Sequence, residues 1–416
     1  MKRNNLIVAL ILLIFFVISF LTNILGPIIP DIIDSFTLSL GLAGFLPFAF
    51  FAAYAVMSIP SGILVEKYRE KKVLTAAFVM AFTGALIFAL IPSFGVALSS
   101  LFIIGIGMAM LQVVINPLLR TAGGDEHFAF NSVLGQLAFG AASFLSPWLY
   151  SYLVNNMHTA DTSALITLLN GLVPENLKWV SLYWVFAVTS FLMVIIILFA
   201  KFPTVELKED EKIDAGSSLK ELLGDRMVIL FFLGIFCYVG TEQGVANWTS
   251  KFLQDYHGVD PSTVGASVIS YFWGLLTVGC LLGLVLLKFF DSRRVLMLFT
   301  SGAIVSLLAG LFGPTAVAIV AFPLVGFFAS VMWSIIFSLA LNSVSKHHGT
   351  FSGILCTGIA GGAVVPLVVG GIAELVGLKV AMLFLLITLG YILSIGIWAK
   401  PLVTNATVKS FKDLFN

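Results

Sequence analysis

The chain has 416 residues and a formal net charge of +1, with only 10% Asp, Glu, Lys and Arg, against about 25% in a soluble globular protein. Apolar residues make up 59% and Phe alone occurs 38 times, more apolar surface than a water-soluble fold of this length can hide. Soluble enzymes, disordered chains and nucleic-acid binders are excluded, the last because a charge of +1 offers no basic field to a phosphate backbone; the composition is that of an integral membrane protein.

Cutting the chain where charges and turn residues cluster leaves twelve apolar stretches, each long enough to cross the hydrocarbon. They lie near 6–30, 40–65, 73–91, 95–119, 129–153, 179–200, 227–253, 262–287, 294–311, 315–343, 350–376 and 379–399. Span 1 follows Lys2 and Arg3 but lacks a small-x-small cleavage site and is followed directly by further spans, so it reads as a helix, not a signal peptide. It carries Thr22 and Asn23, then Gly26-Pro27 and Pro30, expected to loosen its outer end; Asp31 and Asp34 beyond are expected to be solvated. A short basic loop, Gly62 to Lys72, joins spans 2 and 3. Span 4 holds Gln112 and Asn116, four apart and therefore on one helix face. Span 5 offers Asn131 and Gln136. The charged stretch 201–225 then divides six spans from six, so 1–200 and 226–400 are expected to form two six-helix bundles, with a cytoplasmic linker between them and a tail at 401–416. Span 7 is the richest in polar groups: Tyr238, Thr241, Glu242, Gln243, Asn247 and Trp248. Spans 8 and 10 add Tyr271, Trp273, Trp333 and Asn342, and span 11 adds Thr357.

Lysine and arginine set the orientation. With both termini in the cytoplasm, 19 of the 22 fall on that side and only Lys178, Lys251 and Lys379 outside, a strong positive-inside asymmetry. The expected location is a plasma membrane, the bacterial inner membrane. The halves also echo each other: Lys71-Lys72-Val73-Leu74 recurs 222 residues later as Arg293-Arg294-Val295-Leu296, and Gly105 recurs 221 residues later as Gly326. Two anchors with nearly one offset indicate a parallel duplication.

No cofactor chemistry is indicated. Cys237, Cys280 and Cys356 are widely spaced in apolar stretches without partner ligands, and the five histidines (127, 158, 257, 347, 348) fall in connecting segments, so neither disulfide nor metal site is expected. No Gly is followed by Lys, so a P-loop is absent. The Gly358-x-x-Gly361-Gly362 run has no strand before it and is not a dinucleotide fingerprint.

Polar residues inside a membrane are costly unless they face a cavity or a partner, which makes them site candidates. Asn and Gln exchange hydrogen bonds with hydroxyls and indoles stack on apolar C–H faces, so the set Asn23, Gln112, Asn116, Gln136, Gln243, Asn247, Trp248, Trp273, Trp333 and Asn342 suits a polyhydroxylated ligand. For any single amide the competing reading is helix–helix adhesion, typically under about 1 kcal/mol. Glu242 is the acid placed well inside the bilayer. It could load and release a proton, or with Thr241, Gln243 and Asn247 supply a sodium site; the residues leave both open.

The loop Gly62-Ile-Leu-Val-Glu66-Lys67-Tyr-Arg69-Glu-Lys71-Lys72 resembles the G-x-x-x-D-R-x-G-R-R signature of the major facilitator superfamily, with Arg69 standing where that signature has its second glycine. Such a loop is expected to pair across to the other bundle and release when the bundles rock, or simply to fix topology. Phe236-Cys237-Tyr238-Val239-Gly240 with Glu242 and Trp248 resembles helix 7 of the fucose–galactose–glucose proton symporter family. Leu111-Gln112 through Asn116-Pro117 is similar to its helix 4, Ser334 through Leu339 to its helix 10, Gly358 through Pro366 to its helix 11, and His127-Phe128 with Asn131 to its entry to helix 5. The resemblance implies an all-α fold of twelve transmembrane helices in two bundles and cation-coupled import of a monosaccharide by alternating access, one chain being the working unit. It also implies departures. The family's helix 1 acid falls on Gly26 and its helix 4 acid on Gln112, which leaves Glu242 for coupling and keeps sodium use or a sugar uniporter as alternatives; the many Phe residues would also suit an exporter of amphipathic drugs. A receptor lacks a soluble domain here, and a channel lacks a filter sequence or charge ring.

Overall fold

The computed structural model describes residues 5–123, 128–159, 163–203, 217–344 and 347–400. Among these described residues, twelve helices are long and apolar enough to span a membrane: α1 Asn5–Phe36, α2 Leu40–Val65, α3 Glu70–Leu90, α4 Phe94–Ile115, α5 Leu134–Asn156, α6 Glu175–Phe199, α7 Arg226–His257, α8 Pro261–Leu287, α9 Ser292–Phe312, α10 Thr315–Leu341, α11 Thr350–Val376 and α12 Leu378–Trp398. Short helices Ala164–Asn170 and Ser217–Leu223 lie between α5 and α6 and before α7. Of the charged stretch between α6 and α7, 204–216 lies outside the described residues, as do 401–416 and His127.

Helix α1 runs six residues beyond the expected end at 30, and its interruption comes earlier than Gly26-Pro27. The helix stops at Thr22 and resumes at Leu25. Pro27 has no N–H to give the Asn23 carbonyl, and its ring crowds that carbonyl; the break therefore falls one turn upstream of the proline, while Pro27 itself sits in the first turn of the new segment, where a missing N–H is harmless. Helix α10 is likewise interrupted between Ala329 and Met332, and α11 tightens into a 3₁₀ turn at Gly358–Ala360.

The repeat read from sequence is visible in the packing. Gly105 of α4 presses on the Phe50 carbonyl of α2 so closely that a methyl group would collide with it; Gly326 of α10 does the same to the Phe272 carbonyl of α8. Phe272 follows Phe50 by 222 residues. The basic anchors correspond too. Lys71 Nζ donates to the Leu198 and Ala200 carbonyls at 2.7 and 2.9 Å, and Arg293 Nη1 donates to the Ala399 carbonyl at 3.3 Å. Each cation caps the C-terminal carbonyls of the last helix of its own half, where positive charge is favoured.

The two halves meet chiefly along α1 with α7, α2 with α11 and α5 with α8, with a smaller contact of α1 with α8. The closest approaches lie from mid-membrane to the end opposite the basic loops. Gly26 abuts the Ala246 carbonyl, Gly44 abuts Leu367, Gly370 the Leu40 carbonyl, and Asn155 Nδ2 donates to the Ser262 carbonyl at 3.5 Å. Helix α4 packs on α2, α3 and α1, and the second segment of α10 on α7, α9 and α11, each within its own half. Between them, towards the basic end, polar side chains stand exposed: Gln136 on α5 and Ser334 and Ser338 on α10, with Gln112 on α4 half-buried. Hydroxyls and amides are costly against lipid, so this face is a watered cleft open at the basic end and closed at the other. The outward flanks are apolar, with Phe199, Leu298, Val305, Ile387 and Ile397 exposed.

Candidate functional site

Glu242 lies half-buried near the middle of α7. Tyr238 and Glu242 are four apart on α7 and share a face; the Tyr238 hydroxyl donates to Glu242 Oε2. Gln243 Nε2 donates to Oε1 at 3.3 Å, and Asn247 Nδ2 in turn donates to Gln243 Oε1 at 3.5 Å. The carboxylate thus heads a short chain of donors. Thr241 does not join it: its hydroxyl faces α12, 2.6 Å from that of Thr388, which corrects the expectation of a threonine beside Glu242.

An aromatic wall stands beside the acid. The Tyr238 ring lies 6.2 Å from that of Trp333, which stacks on Phe337 at 5.7 Å and 25°. Trp333 is half-buried, so part of its indole is open to the cleft. Behind it, the Cys280 thiol donates to the Ser330 carbonyl at 3.2 Å, at the interruption of α10 where a backbone carbonyl is free to accept. The indole N–H of Trp273 and the hydroxyl of Ser330 are buried with no partner among the described residues.

The other expected ligand groups separate into available and committed ones. Gln112 is half-buried on α4 and Gln136 exposed on α5, both free to meet a solute; Asn116 lies on the Gln112 face of the helix, its side chain outside the described residues. Asn23 is not available. It is buried and donates to Ser143 Oγ at 2.9 Å and Ser19 Oγ at 3.4 Å, while Ser19 donates to the Phe139 carbonyl at 2.6 Å. These bonds tie α1 to α5 at the α1 break, replacing intrahelical partners that the break removes. Trp248 is wholly buried with its N–H on the Pro366 carbonyl at 3.0 Å, and Trp273 is buried edge-on against Phe272, so neither face is open to stack on a ligand. Asn342 sits at the basic end of α10, beyond the last helical residue, and donates to Ser338 Oγ at 3.4 Å.

The loop between α2 and α3 also differs from expectation. Lys71 is fastened to α6 of its own half, Lys67 lies over the Tyr68 ring at 5.2 Å, and Lys72 is exposed. Gly62 is buried and the Glu66 side chain lies outside the described residues. No ion pair joins the two halves at this end among the described residues, as befits the open end of the cleft. Arg69, at the signature's glycine place, adopts φ +68°, the region glycine favours. The turn is thus kept in spite of the substitution, at a conformational cost.

Asp31 is also corrected: it is half-buried and accepts from the Tyr150 hydroxyl at 2.6 Å, while Asp34 is exposed as expected. Gly26, where the family's helix 1 acid would fall, has no room for any side chain, because the Ala246 carbonyl of the opposite half occupies that space. Ser19, Ser143, Tyr150, Cys280 and Glu374 were not singled out from sequence. The i, i+4 spacing of Ser19 and Asn23 was a signal for the first; the partners of the rest are 50 to 333 residues distant in the chain.

Two sequence-related six-helix halves with interrupted helices around a polar cleft, open at one end and sealed at the other, define a secondary transporter. The chain belongs to the Major Facilitator Superfamily, whose family profile matches residues 11–365. It is 29% identical over 394 residues to a glucose/galactose transporter of Brucella abortus (strain 9-941), covering 92% of each chain. It is 26% identical over 389 residues to the L-fucose-proton symporter of Escherichia coli K12, covering 89% of this chain and 87% of that one. The crystal structure of that E. coli symporter shares the fold with a TM-score of 0.68 over 94% of this chain and 98% of its own, at 21% identity. A bacterial homologue of the lysosomal transporter Spinster, crystallised inward-facing and occupied, gives 0.78 at 16% identity, over 96% and 97% of the two chains.

Proposed function

We propose that this protein imports a hexose or closely related monosaccharide across the bacterial inner membrane by proton symport, with both termini cytoplasmic and the basic end of the cleft facing the cytoplasm. The observation that carries the proposal is the placement of Glu242 at mid-membrane on α7, hydrogen-bonded to Tyr238 and Gln243 and beside the half-buried Trp333 indole. Sugar hydroxyls exchange hydrogen bonds with Gln112, Gln136 and Gln243, while the Trp333 face takes the apolar C–H side of the ring. The activities of the relatives, glucose/galactose transport and L-fucose–proton symport, agree with this substrate class.

Proton rather than sodium coupling is favoured by the neighbours of Glu242. Sodium needs several oxygen lone pairs converging on one point, whereas Glu242 is met by donors, the Tyr238 hydroxyl and the Gln243 amide. These donors hold the charged carboxylate and bring no converging lone pairs for sodium, whereas a proton needs only the carboxylate oxygen itself. The cleft is walled by the two halves of one chain, so a monomer suffices, and no prosthetic group is called for. The cycle is then a rocking of the halves in which a loaded Glu242 and a bound sugar are carried together.

The test is uptake of labelled glucose, galactose and fucose into proteoliposomes under an imposed proton or sodium gradient. Accumulation that follows the proton gradient and survives removal of sodium supports the proposal; no accumulation of any sugar under either gradient refutes it. Equilibration without accumulation would make the protein a uniporter, the reading that Gly26 and Gln112 in place of the family's two acids would then explain. A cysteine placed at exposed Tyr68 should react only with reagents applied from the cytoplasmic side.

A further inference from the structure

At the sealed end of the cleft, one charged group has as its only polar partner, among the described residues, backbone of the opposite half. Glu374, in the last turn of α11, accepts from the Gly41 N–H of α2 through Oε1 at 3.0 Å. Gly41 lies in the first turn of α2. Ser39 caps this helix with its side chain, but that side chain takes the Leu42 N–H at 3.2 Å, and the Gly41 N–H is left for an outside acceptor. The absence of a side chain at 41 is what lets the carboxylate in: a methyl group there would stand 2.6 to 2.9 Å from the three carboxylate atoms. Of the cations at this end, Lys251 pairs with Asp255 at 2.9 Å and Lys379 lies over the Phe312 ring at 5.0 Å, and among the described residues neither these nor Lys178 forms an ion pair with Glu374. Glu374 therefore faces the positive end of the α2 dipole instead of a lysine or arginine.

We propose that Glu374 is a positioning residue that latches α11 onto the N-terminus of α2 and so sets the proportion of molecules whose cleft is sealed at this end. The bond joins residues 333 apart in sequence and in different halves, so it exists only while the halves are closed here. Around it the seam is backbone against backbone, Gly44 on Leu367 and Gly370 on the Leu40 carbonyl. Such contacts fix the fit of the two surfaces but carry no charge; the carboxylate adds a directional attraction to one of the two states alone, which is what shifts a two-state equilibrium. Because Glu374 is exposed, its attraction is that of a surface helix terminus, and its removal should change the sealed-to-open ratio by about two- to fivefold.

The inference rests on the alternating-access reading, and its test separates the two. Spin labels at Leu168, in the short helix after α5, and at Val380, at the start of α12, are exposed and belong to opposite halves at the sealed end. Distance distributions between them should show the long-distance population rising about two- to fivefold in Glu374→Gln, which removes the charge, and in Gly41→Ala, which displaces the carboxylate, with the double variant no more open than Gly41→Ala alone, because both act on the same contact. Transport should show the same bias: sugar affinity from the sealed side improves and affinity from the basic side weakens by a similar factor. Glu175→Gln, a carboxylate at the same end outside the seam, should leave the distances unchanged. Unaltered distances in Glu374→Gln, or fully additive effects of the two variants, would overturn the latch even if sugar uptake is intact. Absence of uptake by the unmodified protein would instead overturn the transport proposal, with the distance response of the variants still deciding the latch.

Discussion

Replacing Glu242 by Gln tests the coupling mechanism at its centre. Gln keeps the size of the side chain, and its carbonyl oxygen can still accept from the Tyr238 hydroxyl. What is lost is the charge and the capacity to bind a proton. Among the described residues Glu242 is the one carboxylate on the cleft wall; Asp31 and Glu374 belong to the sealed end, bonded to Tyr150 and Gly41. One carboxylate implies one proton per sugar. A potential of 100 mV acting on one charge is worth about 2.3 kcal/mol, which at about 1.4 kcal/mol per tenfold would concentrate a neutral sugar roughly 40-fold. The unmodified protein should approach that ratio in proteoliposomes, and Glu242→Gln should fall to equality of internal and external sugar. Exchange of labelled for unlabelled sugar across equilibrated membranes needs no proton movement and should persist, with affinity changed by no more than about 1 kcal/mol, the difference between a charged and a neutral hydrogen bond. If Glu242→Gln still concentrates sugar, the acid is not the coupling group. If it abolishes exchange as well, Glu242 acts on the sugar or on the fold.

Gly26→Asp would restore the acid of the resembled family by name only: its side chain would collide with the Ala246 carbonyl, and overpacking of about 1–3 kcal/mol should open the sealed end without altering coupling stoichiometry, read as greater accessibility of cleft cysteines from that side. Arg69→Gly should raise stability in detergent by about 1 kcal/mol, since glycine tolerates φ +68° and arginine does not; a lowered melting temperature would mean that the arginine side chain outweighs the strain. Gln112→Ala should weaken sugar binding by about 1–3 kcal/mol in a titration, because a bound hydroxyl would lose its partner. Asn23→Ala should leave that affinity unchanged yet lower thermal stability by about 1–2 kcal/mol, since its amide is spent on Ser19 and Ser143; a sugar-affinity loss without destabilisation would reverse the assignment.

The sequence by itself determined the membrane class, the twelve spans and the internal duplication, because each rests on a property summed along the chain. A 20-residue apolar stretch has few alternatives in lipid other than a spanning helix, and the nearly equal offsets of Lys71/Arg293 and Gly105/Gly326 record a repeat whatever the contacts prove to be. It also found Glu242 and its donors Tyr238 and Gln243, which lie within one turn of a single helix, where spacing alone fixes neighbourhood. Tertiary structure decided which polar residues remain free. Asn23 and Gln112 look alike in sequence, but one is consumed by Ser143 across a helix interface and Ser19 of its own helix, while the other is half-buried with its amide uncommitted; the same division separates Trp248, whose N–H is spent on Pro366, from Trp333. It decided that Lys71 holds its own half together, and that a glycine at 26 and another at 41 are seam residues, one against a carbonyl and one beneath the Glu374 carboxylate. These facts depend on chain segments more than 100 residues apart meeting at close range, and no local pattern of hydrophobicity or charge encodes which carbonyl a distant helix will present.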